Sequence, residues 1–141
     1  MPATTARNDL RAGLYAYLVA LKAANAAMFA GDVHKVRPGS LVPPCAYVGN
    51  LNESINQDTQ TRTRDFTPEV VLVQRLISPT ETVDAMDDMV DVYVDYITDN
   101  PHMGGGIIEP TSVRDVELDL GGTLYSASVV SHKLHIMEGR S

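Results

Sequence analysis

The sequence predicts an α+β fold: a β-sheet flanked by a long N-terminal helix and a second, acidic helix, ending in a C-terminal β-hairpin. Three patterns carry this reading. Leucines recur at helical spacing near the N-terminus, aspartates and apolar residues segregate at helical spacing over 83–99, and two-residue alternation flanks Gly121-Gly122. With 141 residues the chain fits one domain, 1–141, which can bury roughly 70% of its unfolded surface without disulfide or metal staples. Its 44% hydrophobic and 21% charged residues are ordinary for a globular protein.

Leu10, Leu14, Leu18, Leu21, Asn25 and Met28 fall at steps of three and four, with Tyr17 beside the stripe. Asn8 or Asp9 is suited to cap this helix, and Gly31 to stop it. About 22 residues would span about 33 Å, enough to cross a sheet. "VHKVRPGSLVPP" is connector chemistry, because its prolines and glycine propagate neither a helix nor a central strand. "CAYVGN" reads as a short strand. Between 51 and 65 only Leu51 and Ile55 are apolar, so that stretch reads as a long exposed loop or hairpin arm. "FTPEVVLVQRLI" then runs apolar and β-branched, as a central strand covered on both faces would, with Pro68 marking where its pairing begins.

Ser78, Pro79 and Glu81 form a helix start, with Ser78 as cap, Pro79 in the first position and Glu81 closing a capping box. Val83, Met86, Val90, Tyr93 or Val94, and Ile97 define its apolar face. Asp84, Asp88, Asp91 and Asp95 line the opposite one. "NPHMGGG" ends the helix in a flexible turn. Val116, Leu118 and Leu120 then alternate with Asp115, Glu117 and Asp119 as a half-buried strand. Gly121-Gly122 turns the chain, "TLYSASVVSHKLHI" returns antiparallel, and 137–141 reads as a frayed, flexible tail.

Eleven Lys and Arg against eighteen Asp and Glu leave a net charge of −7, which disfavours tight nucleic-acid binding. The single Cys45 excludes an internal disulfide framework and gives no zinc spacing, and a reducing compartment fits best. The N-terminal segment loosely imitates a signal peptide, but Asp9, Lys22 and Asn25 interrupt it, and no window reaches the length of a membrane span.

A functional aspartate cluster needs converging oxygens, whereas aspartates along a helix surface diverge into solvent. They read as a solvated face, or as an acidic ridge for a partner. His132 and His135 would lie on opposite faces of a strand and cannot share a metal, while His34 and His102 sit in loops. No base identifies itself as a partner for Cys45. "MGGGII" lacks the Lys-Ser/Thr of a phosphate loop, so Gly104, Gly105 and Gly106 read as a flexible assembly loop. No catalytic, cofactor-binding or metal residue emerges. Arg62 and Arg64 of "TQTRTRDF" point the same way on an extended arm, and the arm is suited to order on a neighbouring subunit or partner. Reversing both charges is expected to leave folding intact and weaken assembly.

The order of parts resembles the tail terminator, or tail completion, proteins of long-tailed siphovirus-type bacteriophages from about Asp9 to Ile136. The quoted segments that carry it are "LRAGLYAYLVALKAANAAM", "PPCAYVGN", "TRDFTPEVVLVQRLI", "TETVDAMDDMVDVYVDYI" and "VRDVELDLGGTLYSASVVSHKLHI". The resemblance implies a mixed, largely antiparallel sheet flanked by helices. It also implies a non-enzymatic virion protein without cofactors, assembled in the bacterial host cytoplasm as a homo-oligomeric, hexameric ring at the head-proximal end of the tail. Such a ring caps the tail tube protein, stops tube polymerisation and meets a head-completion or neck protein, and double-stranded DNA passes through it without tight binding or any membrane contact. Arg62, Arg64, Phe66, Asp84, Asp88, Asp91 and Asp95 are the candidate subunit or partner contacts. The 51–65 arm and the 101–111 loop are expected to order on assembly. A head-closure or head-tail adaptor protein is the neighbouring alternative, and a small cytoplasmic enzyme or ligand-binding domain the more distant one.

Overall fold

In the computed structural model, which describes residues 3–57, 61–74, 78–103 and 106–139, two helices pack on one face of a curled eight-stranded sheet. The elements are α1 (Ala3–Ala24), β1 (Val33–His34), β2 (Cys45–Val48), β3 (Glu53–Gln57), β4 (Thr61–Phe66), β5 (Glu69–Gln74), α2 (Pro79–Asp99), β6 (His102–Met103), β7 (Gly106–Leu120) and β8 (Thr123–Gly139). The sheet is mixed and largely antiparallel: only β1 pairs in parallel, with β2.

The 17-residue β8 is the spine. Along one edge it pairs with β7 from Leu120↔Thr123 to Ile108↔Leu134. Along the other it pairs first with β5 and then with β4, so Leu134 lies between Ile108 and Phe66. β4 and β5 therefore form one long strand broken at Thr67-Pro68, and β2 and β3 form its partner, broken at 49–52. Pro68 has no N–H to give a ladder, and the break is closed by Thr67 N donating to Asn52 O at 2.8 Å and His132 N to Pro68 O at 3.0 Å. This break lets the sheet bend around the helices.

Successive residues on a strand face opposite sides. Val70 and Leu72 of β5, with Val130, Leu134 and Ile136 of β8, meet Leu10, Leu14, Leu18 and Leu21 of α1 and Met86, Met89, Tyr93 and Ile97 of α2. Val71, Val73, Ala127 and Val129 face the other way, where Cys45, Tyr47 and Leu41 join them. That double burial makes β5 the central strand the sequence indicates. Each fully buried leucine of α1 contributes roughly 2 kcal/mol by leaving water.

Several boundaries differ from the sequence reading. α1 begins at Ala3, so Asn8 and Asp9 lie inside it, and it ends at Ala24 instead of reaching Gly31. Asn25 leaves helical geometry (φ −136°) and its side-chain amide donates to Leu21 O, after which a short 3₁₀ turn, Ala26–Phe29, buries Phe29 in place of Met28. Gly31 acts in packing: its N–H donates to Pro44 O at 2.8 Å, and a Cβ there would lie 1.4 Å from Val42 O. Gly31→Ala is expected to cost about 2 kcal/mol or more by forcing the 42–44 segment outward. A lower urea midpoint with an unchanged m-value would register it.

The cap and first position of α2 are as read: Ser78 Oγ accepts from Glu81 N at 3.2 Å and Pro79 opens the helix. Its buried face is Thr82, Met86, Met89, Tyr93 and Ile97, and Val83 is 56% exposed. Gly121 and Gly122 both have positive φ (62° and 84°), as a two-residue hairpin turn requires. The hairpin is longer than alternation alone indicates. Gly106 to Thr111 belongs to β7, so most of the expected 101–111 loop is paired strand, anchored by the buried Ile108. Likewise 137–139, read as a tail, pairs with β4.

Candidate assembly surfaces

The acidic helix face survives intact. Asp84, Asp88, Asp91 and Asp95 are all exposed and diverge from the helix, as does Asp87. α2 holds seven carboxylates and no Lys or Arg, so it carries as much negative charge as the net −7 of the whole chain. The rest of the molecule is balanced. Among the described residues no ion pair reaches these aspartates.

The arm is a paired hairpin with exposed residues in β3, as read, but two of its candidate contact residues are buried. The described residues of the 51–65 stretch form the paired strands β3 and β4, residues 58–60 lie outside the described residues, and Leu51 is buried. Arg62, Arg64 and Phe66 share one face of β4, and Phe66, 1% exposed, belongs to the core under the helices. Arg64 is therefore drawn inward too, at 2% exposure, where its guanidinium pairs with Glu53 and stacks over the Phe66 ring at 5.3 Å. Glu53 also accepts from Arg7 of α1 at 3.0 Å. An Arg7–Glu53–Arg64 chain thus ties the start of α1 to the hairpin. Within this chain Arg64 and Phe66 are therefore buried instead of presented at the surface, and Arg62 is half-buried. Glu53 was missed because it stands in a polar run. The usable signal was parity: once Phe66 is core, Arg64 two residues earlier faces the same way and needs an acid.

Gly104 and Gly105 lie outside the described residues. Gly106 opens β7 opposite Met103, and a Cβ there would sit 2.5 Å from His135 O, so its glycine serves close strand packing.

His132 is fully buried and His135 is exposed, on opposite faces of β8 as their spacing requires. His132 Nδ1 donates to Pro68 O at 2.8 Å, which leaves Nε2 to accept the Tyr93 hydroxyl at 2.9 Å. Burial pushes the imidazole down to about 4 and raises the Tyr93 phenol. Both groups are neutral and satisfied, and they pin α2 to the bend of the sheet. Cys45 is fully buried, and desolvation pushes its thiol up to about 11, the opposite of an activated nucleophile. Among the described residues no three His, Cys, Asp or Glu side chains gather to hold a metal, and no helix is long and apolar enough to cross a membrane.

One surface was not read from the sequence at all. A cleft of about 610 Å³ opens beside β2 and β5, with Tyr47, Val71, Leu118 and Val36 as its apolar part and Arg11, Arg37, Arg114 and Glu69 around them. Arg11 donates to the Lys35 and Gly49 carbonyls, both at 3.3 Å. Desolvation and then the neighbouring Arg7 charge lower its pKa. Arg114 approaches Glu69 at 3.8 Å. These arginines come from three separated segments, so no local motif announces them.

The architecture defines an α+β protein whose differentiated features are surfaces: an acidic helix and an arginine-lined cleft. No family model and no curated protein matches the chain. Among solved structures it is similar to a chain from the virion of a native gene transfer agent particle. That likeness has a TM-score of 0.63 at 13% identity and covers 92% of this chain and 96% of the other. The two share a fold along nearly their whole lengths.

Proposed function

We propose that this chain is a structural virion protein, without enzymatic activity, that forms a ring capping the tail tube. The ring ends tube polymerisation and joins the tail to the head or neck, leaving a passage for DNA. The observation that carries this reading is the whole-length fold likeness to a virion chain of a gene transfer agent particle, with neither chain having a large extra part. The element order that resembles tail terminators supports it, and so does the concentration of distinctive chemistry on outer surfaces. A net charge of −7 per copy suits a passage that must release DNA.

Mixing the purified protein with assembled tail tube tests the reading. Light scattering and negative-stain images are expected to show rings with a hole of at least ~20 Å, wide enough for a duplex, seated at tube ends, and tubes that no longer elongate. Capture by portal-side components with no effect on tubes would instead make the protein a neck adaptor.

A further inference from the structure

We propose that the Arg11, Arg37 and Arg114 cleft receives the acidic face of α2 from a second copy of this chain, making a head-to-tail contact between subunits. The inference deepens the ring reading and names the contact that would build it. Two unmatched charge distributions motivate it. α2 presents Asp84, Asp88, Asp91 and Asp95 in one exposed row with no described ion-pair partner, while the cleft sets three arginines against one acid, Glu69. Arg37 has no ion pair or side-chain hydrogen bond among the described residues, and the 3.8 Å contact of Arg114 with Glu69 is loose. Arg11 is partly desolvated and also feels the like charge of Arg7, so an arriving carboxylate favours its charged form.

The two patches cannot satisfy one another within a molecule. α2 packs on the sheet face of Val70, Leu72 and Val130, whereas Tyr47 and Val71 of the cleft point to the other face, and no residue of α2 lines it. Opposite patches on different faces of one chain give a heterologous contact, which propagates in one direction and closes when the rotation allows. Apolar surface accompanies the charge on both sides: Val36 at the cleft is 55% exposed and Val83 beside Asp84 is 56% exposed. Exposed ion pairs are individually weak and screened by salt. The contact should therefore be salt-sensitive.

Sedimentation velocity at low and high salt tests this on the full chain, with circular dichroism to verify folding. Arg37→Glu with Arg114→Glu, and separately Asp88→Lys with Asp91→Lys, are each expected to weaken self-association about tenfold or more. Mixing these two reversed proteins one to one should restore it, because each reversed patch then meets its reversed counterpart. The neutral variants Arg37→Gln/Arg114→Gln and Asp88→Asn/Asp91→Asn, mixed, should stop at a dimer, since only one productive contact remains. Wild-type protein that stays monomeric at low salt, or association unmoved by both reversals, overturns the proposal. So does titration with inorganic phosphate that saturates the cleft and leaves association unchanged. A parallel tube-end assay separates the two readings: charge-dependent association without tube capping keeps this contact and removes the capping function, and capping by both reversed proteins does the opposite.

Discussion

Arg64→Glu is expected to abolish or severely reduce folding, by about 3 to 5 kcal/mol, the usual cost of breaking a buried ion pair from one side. The substitution places a carboxylate at a 2% exposed position beside Glu53, whose remaining partner would be Arg7 on the α1 side. It also removes the guanidinium stacked on Phe66. At roughly 2 to 4 °C per kcal/mol for a chain of this length, the melting temperature should fall by about 6 to 20 °C. Glu53→Ala should fall in the same direction, because it removes the Glu53 carboxylate from the buried guanidinium. The double variant Glu53→Leu/Arg64→Met should recover most of the loss, since apolar residues of similar volume replace a buried pair at little net cost. Thermal melts followed by circular dichroism measure all three. A stable, fully folded Arg64→Glu protein would return the arginine to the surface and restore the sequence-based expectation that it serves assembly alone.

The contrast between Arg64 and the aspartates explains what the sequence made legible. Helical periodicity repeats over many residues, so the α2 row at 84, 88, 91 and 95 could be assigned to solvent with only the local pattern. The cap at Ser78 and the hairpin turn at Gly121-Gly122 were equally legible, because each rests on backbone chemistry within a few residues. Arg64 depends on a partner eleven positions away, across a hairpin whose register polar residues do not announce. The arginine cleft is further out of reach: Arg11, Arg37 and Arg114 line it from α1, the β1–β2 connection and β7, which only the tertiary fold brings together. Length errors have a related cause. Pro110 and "MGGG" signal a break, but Ile107 and Ile108 resume the strand, and an irregularity between Pro110 and Ser112 lets β7 continue past the proline. The Val83 assignment failed by one residue, since Thr82 begins the buried stripe and Met89 stands in it where Val90 was expected.

Acidification is expected to destabilise the domain through His132, by about 3 kcal/mol between pH 6.5 and 4. The unfolded imidazole titrates near 6.5, whereas burial holds the folded one down at about 4. Between those values the unfolded state binds a proton that the folded state refuses, so stability rises with pH across the window. The full contribution is present above about 6.5 and the loss is complete below about 4. Protonation at Nε2 would also turn an acceptor of the Tyr93 hydroxyl into a donor, loosening α2 from the bend where Pro68 interrupts β4 and β5. Urea titrations of wild type and His132→Gln across this range isolate the effect, because His34, His102, His135 and every carboxylate remain in both proteins. At pH 7.5 the variant should be weaker by about 1 to 3 kcal/mol, having lost well-made buried hydrogen bonds. As pH falls the wild type should lose stability faster, so the two curves converge and meet or cross, and the difference between them flattens near pH 4. Parallel curves would mean that His132 already carries its proton when folded or is open to water, and the buried Tyr93–His132–Pro68 connection would then not be what holds the second helix to the bend.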